Sequence, residues 1–585
     1  MYLKQTKRKD GRIWLAICKS VRKDGVSKTV TVEKLGWVDD LRKQHPDPIA
    51  HYRAYAKELT RMEQAESGAQ TIAIHPLERI DKRSANRKNL GFIALSDVYH
   101  ALNLHTFFKN RQRHRGFEYS TDAVMRLLIF NRILDPASKK AAFEGRGGYF
   151  ETFSFSLGDV YRTLGHVATL KDPLEAYLNA MVTSRYGRDT ELVYYDVTNY
   201  YFEIDRPDGL RKKGVSKEHR PDPIIQMGLL MDKGGLPVAY DLFSGSTVDT
   251  ETLIPVLGRI KGRRGHGGFG FDRIICVADK GINSSDNVCA LLAKGDGYVF
   301  SKSVRGADRA TQQWVLAEAG WRTHSSDADG SFMIKARIAE RTLKITVQAA
   351  DSAKGLKKKT KDVKVTEKQV AFWSEKYDLR AKAERADAVA RARDMAAHPS
   401  KLKAMMDRTA AKYIKGLSVD DNGVIIECDD VLYFDEVRLA REEALDGYYI
   451  ISTSETDKAP EEIIDIYRGL WRIEETFKVT KSDLEARPVF VSRQDHIEAH
   501  FLICFIALVI MRILQMQTNW RHSAATIART LAKASATHEG DNWWLFDHRD
   551  EALEDIGEAL GIDFTRRRLT TGSIRSLVGA TKKAH

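Results

Sequence analysis

The sequence predicts a multidomain α/β protein, and three observations carry the prediction. The chain has 585 residues, which suits several domains. Strand-like and helix-like patterns alternate between residues 191 and 302. Long helical patterns lie on both sides of that stretch. An apolar fraction of 43% makes a large core available and argues against wholesale disorder.

Residues 1–50 read as a small β unit. Strand-like alternation runs through "GRIWLAICKSV" and "KTVTVEKLGWV", and Lys7, Arg8, Lys9 and Arg12 make the intervening turn basic. Residues 51–190 read as helical. There "STDAVMRLLIFNRIL" opens on a Ser120 or Thr121 cap and carries apolar residues at helical spacing. Just before it, "FFKNRQRHRGF" sets Lys109, Arg111, Arg113, His114 and Arg115 among aromatics, a composition suited to phosphate contact and base stacking.

Residues 191–302 read as strand, hairpin, helix, strand, helix, strand. The pieces are "ELVYYDVTNYYFEI", "IIQMGLLMDKGGLPVAYDLF" with its turn at Asp232–Gly235, "TETLIPVLGRI", "RIICVADKG", the serine-capped "SSDNVCALLAK" and "GYVFSKS". This order is that of the ribonuclease H-like fold. Residues 303–440 break the order with strand-like pieces, a charged helical tract and the basic run "KGLKKKTKDVK". They read as a partly β insertion domain that supplies no acid to the site. Residues 441–515 return to core character with "GYYIISTS" and a helix opened by Pro460, and residues 516–585 form a helical C-terminal region.

Lys and Arg number 93 against 80 Asp and Glu, a net charge of +13 that favours a polyanionic partner, nucleic acid first. The five cysteines (Cys18, Cys276, Cys289, Cys428 and Cys504) are scattered and form no CxxC pair, which fits reduced thiols in a cytoplasm. The basic N-terminus lacks the apolar region of a signal peptide. "FLICFIALVIM" is short for a membrane span and reads as a buried helix.

Three acids stand out. Asp196 lies inside an apolar strand, where a charge is costly unless paired or bound to metal. Asp279 lies where "IICVAD" ends, at the carboxyl end of a central strand. Glu474 lies in "YRGLWRIEETFKVTKSDLEARP", whose Tyr467, Trp471, Glu474, Lys478 and Lys481 are spaced to share one helix face beside an apolar stripe of Ile466, Leu470, Ile473 and Phe477. An ion pair from Glu474 to Lys478 is the plain alternative. Three carboxylates suit a pair of divalent ions such as Mg²⁺ that activate water and stabilise a leaving oxygen in phosphodiester cleavage. His496 and His500 in "HIEAH" match no zinc motif, and "GRRGHGGFGF" lacks the lysine of a nucleotide loop. "SKEHRPD" either touches DNA or orders a strand connection.

The pattern resembles the DDE transposases of bacterial insertion sequences, in particular the group with a tyrosine–arginine–glutamate–lysine signature on the glutamate helix. Tyr467, Glu474 and Lys481 fall on that signature. The arginine position is Leu470, flanked by Arg468 and Arg472. "YDVTNYYFE", "GVSKEHRPDP", "GLPVAYDLFSGSTVDTETL", "ICVADKG", "NRILDPASK" and "HIEAHFLICFIALVI" are similar to further blocks of the group, covering about 120–515. The resemblance implies a ribonuclease H-like core with an insertion before the glutamate. It implies Asp196, Asp279 and Glu474 as ligands of Mg²⁺ or Mn²⁺, and a homodimer on paired terminal repeats. Tyr467, Trp471, Arg472, Lys478 and Lys481 would position the DNA end, with Lys109, Arg111, Arg113 and Arg115 as further DNA contacts. A nuclease without strand joining and an inactive DNA-binding relic are the alternatives.

Overall fold

The computed structural model describes all residues except 9, 24–25, 67–76, 78, 80–85, 205, 215–220, 262–270, 327–329, 352–354, 399–407, 420–424, 541 and 584–585. It has two compact units: Met1–Lys82 with Glu539–Asp541, and Arg83–His538 with Asn542–His585. In the first, β1 (Tyr2–Lys7), β2 (Ile13–Lys23) and β3 (Val26–Trp37) form an antiparallel sheet followed by α1 (Val38–Leu41) and α2 (Pro48–Glu66). Leu15, Val38 and Leu41 are its core. The unit extends past the boundary at residue 50 that the composition suggests. Helix α2 belongs with the sheet, tied by the Met1 ammonium, which donates to Thr60 Oγ1 at 2.6 Å, and by a Lys19–Glu63 ion pair.

The second unit opens with β4 (Arg87–Asn89) and six helices: α3 (Phe92–Ala101), α4 (Leu104–Gln112), α5 (Thr121–Leu134), α6 (Lys139–Glu144), α7 (Leu157–Ala168) and α8 (Lys171–Tyr186). Ser120 is the cap of α5, its side chain accepting the Ala123 N–H at 3.2 Å. Then come β5 (Leu192–Tyr201), β6 (Ile224–Asp232), β7 (Pro237–Ser244), α9 (Leu253–Ile260), β8 (Ile275–Ala278), α10 (Ser285–Ala293) and β9 (Gly297–Lys302). They lie in the order β7-β6-β5-β8-β9, antiparallel among the first three and parallel from β5 through β8 to β9. This is the mixed sheet that the element order predicts.

The following segment contains α11 (Arg309–Leu316), β10 (Arg322–Ser326), β11 (Gly330–Asp351), β12 (Gly355–Trp373), α12 (Glu375–Ala397), α13 (Arg408–Ala411), β13 (Ile414–Val419), β14 (Ile425–Phe434) and α14 (Glu436–Glu443). It differs from the separate insertion domain expected from sequence. Only β13 and β14 pair apart; β10, β11 and β12 join the core through β15 (Tyr448–Thr453), giving a nine-stranded sheet, β10-β11-β12-β15-β9-β8-β5-β6-β7. The strand pieces "FMIKARI" and "LKITVQA" are one strand, β11, and much of the basic run is β12.

The chain ends with α15 (Pro460–Arg468), α16 (Trp471–Lys478), α17 (Gln494–Gln517), α18 (Ala524–Lys533), β16 (Ser535–Gly540), β17 (Trp543–Phe546), α19 (Glu551–Leu560), β18 (Arg568–Thr570) and α20 (Thr571–Ala580). So the C-terminal region is not wholly helical: β16–β18 form a small sheet with β4. Helix α17 is long and apolar enough to cross a membrane, but 94% of its apolar window is buried inside the protein. It is the central helix of the larger core, on the face of the sheet that carries Tyr194 and Tyr200; α9 and α10 cover the opposite face, with Val193, Tyr195 and Val197.

The β6–β7 hairpin is held by a buried ion pair. Arg188 Nη1 lies 3.0 Å from Asp232 Oδ2, its Nη2 donates to the Pro237 carbonyl at 3.0 Å, and Asp232 Oδ1 accepts the Leu236 N–H at 2.9 Å. Burial pushes the Asp232 carboxyl up and Arg188 down, each opposed by the other's charge. Arg188→Ala would leave Asp232 buried and unpaired, at a cost of about 3–5 kcal/mol. Urea unfolding should show this as a lower midpoint, and an unchanged midpoint would refute it.

Candidate active site

Strand β5 fixes the first acid. Tyr194 and Tyr200 enter one core and Val193, Tyr195 and Val197 the other, so alternation puts Asp196 on the α17 side of the sheet. Its carboxylate accepts the Val197 N–H at 2.7 Å. Strands β5 and β8 pair in parallel as Leu192↔Ile275, Val193↔Cys276 and Tyr194↔Val277. Two residues further, the same register sets Asp196 beside Asp279, the first residue after β8, across a spacing of about 4.8 Å between strands.

Asp279 is held by two donors on one oxygen. Ser301 Oγ donates to Oδ1 at 2.7 Å and the Tyr467 hydroxyl donates to the same atom at 3.2 Å. Ser301 follows Phe300, the β9 partner of Ala278, so strand register places it beside Asp279. Burial first, then the Asp279 charge, drives the Tyr467 hydroxyl well above the ordinary tyrosine range; the Glu474 charge pushes it the same way. The hydroxyl therefore stays protonated, and the third acid acts electrostatically on a group that touches the second.

Glu474 is exposed on α16, while Leu470, Ile473 and Phe477 are buried as the apolar stripe predicts. Among the described residues, the ion pair with Lys478 that the spacing allows is not formed. The single continuous helix face predicted from Tyr467 to Lys481 is broken in two places. α15 ends at Arg468 and α16 begins at Trp471; Gly469 and Leu470 between them keep right-handed helical dihedrals, and the Tyr194 phenol occupies the space where a Cβ on Gly469 would stand. A π-helical turn, Val479–Asp483, follows α16. The five residues accordingly diverge. Tyr467 turns to Asp279. Trp471, 56% exposed, lines a groove with Leu192, Ile275, Lys458 and Arg472 at the starts of β5 and β8. Lys478 is exposed, and Lys481 Nζ lies 5.6 Å from the centre of the Tyr200 ring near the end of β5.

Leu470, at the signature's arginine position, is buried. Arg468 stands over the Phe332 ring at 4.8 Å, and Arg472 donates to the Lys233 carbonyl in the hairpin turn. Lys109, Arg111, Arg113, His114 and Arg115 are all exposed on α4 and the turn after it, with Arg111 over Phe107 at 5.3 Å. Helix α4 packs on α3, α5 and α8.

His496 and His500 do not act as a pair: His496 stacks on Tyr161, while His500 is buried, 2.8 Å from Lys139 Nζ through Nδ1 and bonded to the Ala486 carbonyl through Nε2. Among the described residues no three His, Cys, Asp or Glu side chains stand together as a ready-made metal cage. Asp196, Asp279 and Glu474 are among those residues and do not meet as such a group; what they offer is carboxylate oxygen, the donor type that a hard divalent cation takes. Most of "GRRGHGGFGF" and of "SKEHRPD" lies outside the described residues. Ser301 had no motif to announce it; only the β8–β9 register reveals it.

A family model described as "Transposase DDE domain" matches residues 212–510, just over half of the chain. The match contains Asp279 and Glu474 and begins after Asp196. Comparison with curated proteins finds no match.

The close contact at Gly469 generates a test. A Cβ at this position would lie 1.9 Å from Tyr194 Oη. Gly469→Ala should therefore force Tyr194 or α15 to move, at about 1–3 kcal/mol, although alanine is the better helix former. Thermal unfolding measures this; an equal or higher midpoint would show that the Tyr194 contact does not constrain this position.

Proposed function

The chain belongs to the DDE transposase family, and from that premise we propose that it is the transposase of an insertion sequence. It binds the element's terminal repeats, cuts DNA there, and joins the freed 3′-OH to target DNA. In the first step a water oxygen bonds to phosphorus and the 3′ oxygen leaves as a hydroxyl. In the second that hydroxyl attacks a target phosphodiester, forming one O–P bond and releasing a target 3′-OH. The observation that carries this reading is the parallel β5–β8 register, which aligns Asp196 with Asp279 beneath the helix that bears Glu474.

Asp196, Asp279 and Glu474 would hold Mg²⁺ or Mn²⁺, two ions in all. Bound there, such ions activate the attacking water and stabilise the leaving oxygen. Tyr467 and Ser301 orient Asp279, and because Tyr467 keeps its proton it donates to the carboxylate throughout the physiological range. Trp471 and Arg472 at their groove, with Lys478 and Lys481 along α16 and the turn after it, position the DNA end. Lys109, Arg111, Arg113 and Arg115 supply further phosphate contacts from α4. A homodimer would bring two ends together.

Glu474→Gln keeps shape and removes the anion. Cleavage should fall on the order of 10²–10³-fold, while DNA affinity in a gel shift holds or tightens slightly. The same should follow for Asp196→Asn and Asp279→Asn. Near wild-type cutting by Glu474→Gln would remove Glu474 from the site. Product mapping with labelled target DNA separates transposition from plain hydrolysis: cut ends that never join would support a nuclease instead. In the same assay Trp471→Ala should slow processing by the equivalent of about 1–3 kcal/mol if its ring stacks on a base, with folding intact. Unchanged processing would leave Trp471 without that role.

A further inference from the structure

A chain of polar contacts runs from the segment after β9 to Asp279. Glu367, on β12, is fully buried, 0% exposed. It accepts the Tyr298 hydroxyl at 2.9 Å and the Gln369 amide at 2.7 Å, and it pairs with Arg341 of β11 at 3.5 Å. Arg341 Nη1 also donates to Asn283 Oδ1 at 3.3 Å. Asn283 stands in the loop between Asp279 and α10, and its Nδ2 donates to the Ser301 carbonyl at 2.9 Å. Ser301 Oγ donates to Asp279 Oδ1 at 2.7 Å.

We propose that Arg341, anchored by Glu367, is a positioning residue for Asp279, acting through Asn283 and Ser301. The proposal rests on the reading of Asp279 as a metal-holding carboxylate. Its physical content is geometric. The loop after β8 leaves the sheet at Asp279, so the direction of the carboxylate depends on what fixes that loop and the neighbouring β9 residue. Asn283 spans both, with one end on Ser301 and the other on Arg341. Arg341 is half-buried, and the Glu367 carboxylate 3.5 Å from its Nη1 favours the orientation in which that nitrogen also meets Asn283. Two further donors remain on Glu367 when Arg341 is removed, so the fold has a reason to survive the change. The long β11–β12 hairpin then does more than extend the sheet: it sets the geometry of an acid far from it in sequence. Partners behind a metal ligand govern its affinity for the ion, and their loss costs about 10–100-fold.

The test is Mn²⁺ binding to the full chain, followed by electron paramagnetic resonance of the free ion, with thermal midpoints and gel-shift affinity measured alongside. Arg341→Ala should weaken Mn²⁺ binding at least about tenfold, with DNA affinity unchanged. Arg341→Lys should recover part of the loss, and Asn283→Ala should reproduce it. Should Arg341→Ala fail to fold, Asn283→Ala carries the same expectation. Wild-type Mn²⁺ affinity in a folded Arg341→Ala or Asn283→Ala overturns the proposal. The control is Asp279→Asn. If it too binds Mn²⁺ like wild type, the failure lies with Asp279 as a ligand; if it alone loses binding, only the positioning role is lost.

Discussion

Parallel pairing of β5 with β8 is the constraint on which the site depends. Two strands can run parallel only if the chain makes a crossover between them, and here that crossover contains β6, β7 and α9. The pairing then fixes which residues are neighbours. A slip of one residue would turn Asp196 into the opposite core and take Asp279 out of alignment. The apolar residues on each side of β5 oppose such a slip, because Tyr194 and Tyr200 fill one core and Val193, Tyr195 and Val197 the other. Core packing and acid placement are thus settled by one register.

The second constraint is the approach of α15 and α16 to that sheet. Tyr194 donates to the Ile466 carbonyl at 3.2 Å and fills the space beside Gly469. A helix passing over a tyrosine at this distance has no room for a side chain at the point of contact. Glycine at that point lets the helix pass this close, with Tyr467 before it on Asp279 and Glu474 on the helix after it. Along β5, Tyr194 to Tyr200 spans about 20 Å, and the chain from Gly469 to Lys481 spans about 18 Å at helical rise. Lys481 stands over Tyr200, so α16 and the turn after it run along the side of the sheet that carries Tyr194, Asp196 and Tyr200.

Much of this was legible in the sequence, for local reasons. Period-two and period-3.6 patterns marked every core strand and helix between residues 191 and 302, and residue type marked the hairpin turn at Asp232–Gly235, a cap at Ser120 or Thr121 and a serine cap on α10, which are Ser120 and Ser284 in the fold. Asp196 and Asp279 stood out because a charge within or at the end of an apolar strand is costly. The parts that stayed hidden are long-range. The union of β10–β12 with the core sheet depends on pairing partners, which periodicity does not name. Ser301 and Arg341 carry no motif: the β8–β9 register brings Ser301 to Asp279, and a side-chain contact with Asn283 brings in Arg341. Gly469 did have a signal, a glycine inside a helical pattern, but the Tyr194 phenol that fills its Cβ space is remote in sequence.

The segment between β9 and β15 also has a structural necessity of its own. β15 lies between β9, paired through Ile450↔Lys302 to Thr453↔Val299, and β12, paired through Lys368↔Thr453 to Trp373↔Tyr448. Without β12, β15 would become an edge strand with one row of backbone groups unpaired. Yet β15 leads directly into α15, which delivers Tyr467 to Asp279. The strands contributed by this segment therefore hold the path by which the glutamate helix returns to the aspartates. A segment that reads in sequence as an interruption of the core is, in the folded chain, the bracket that closes it.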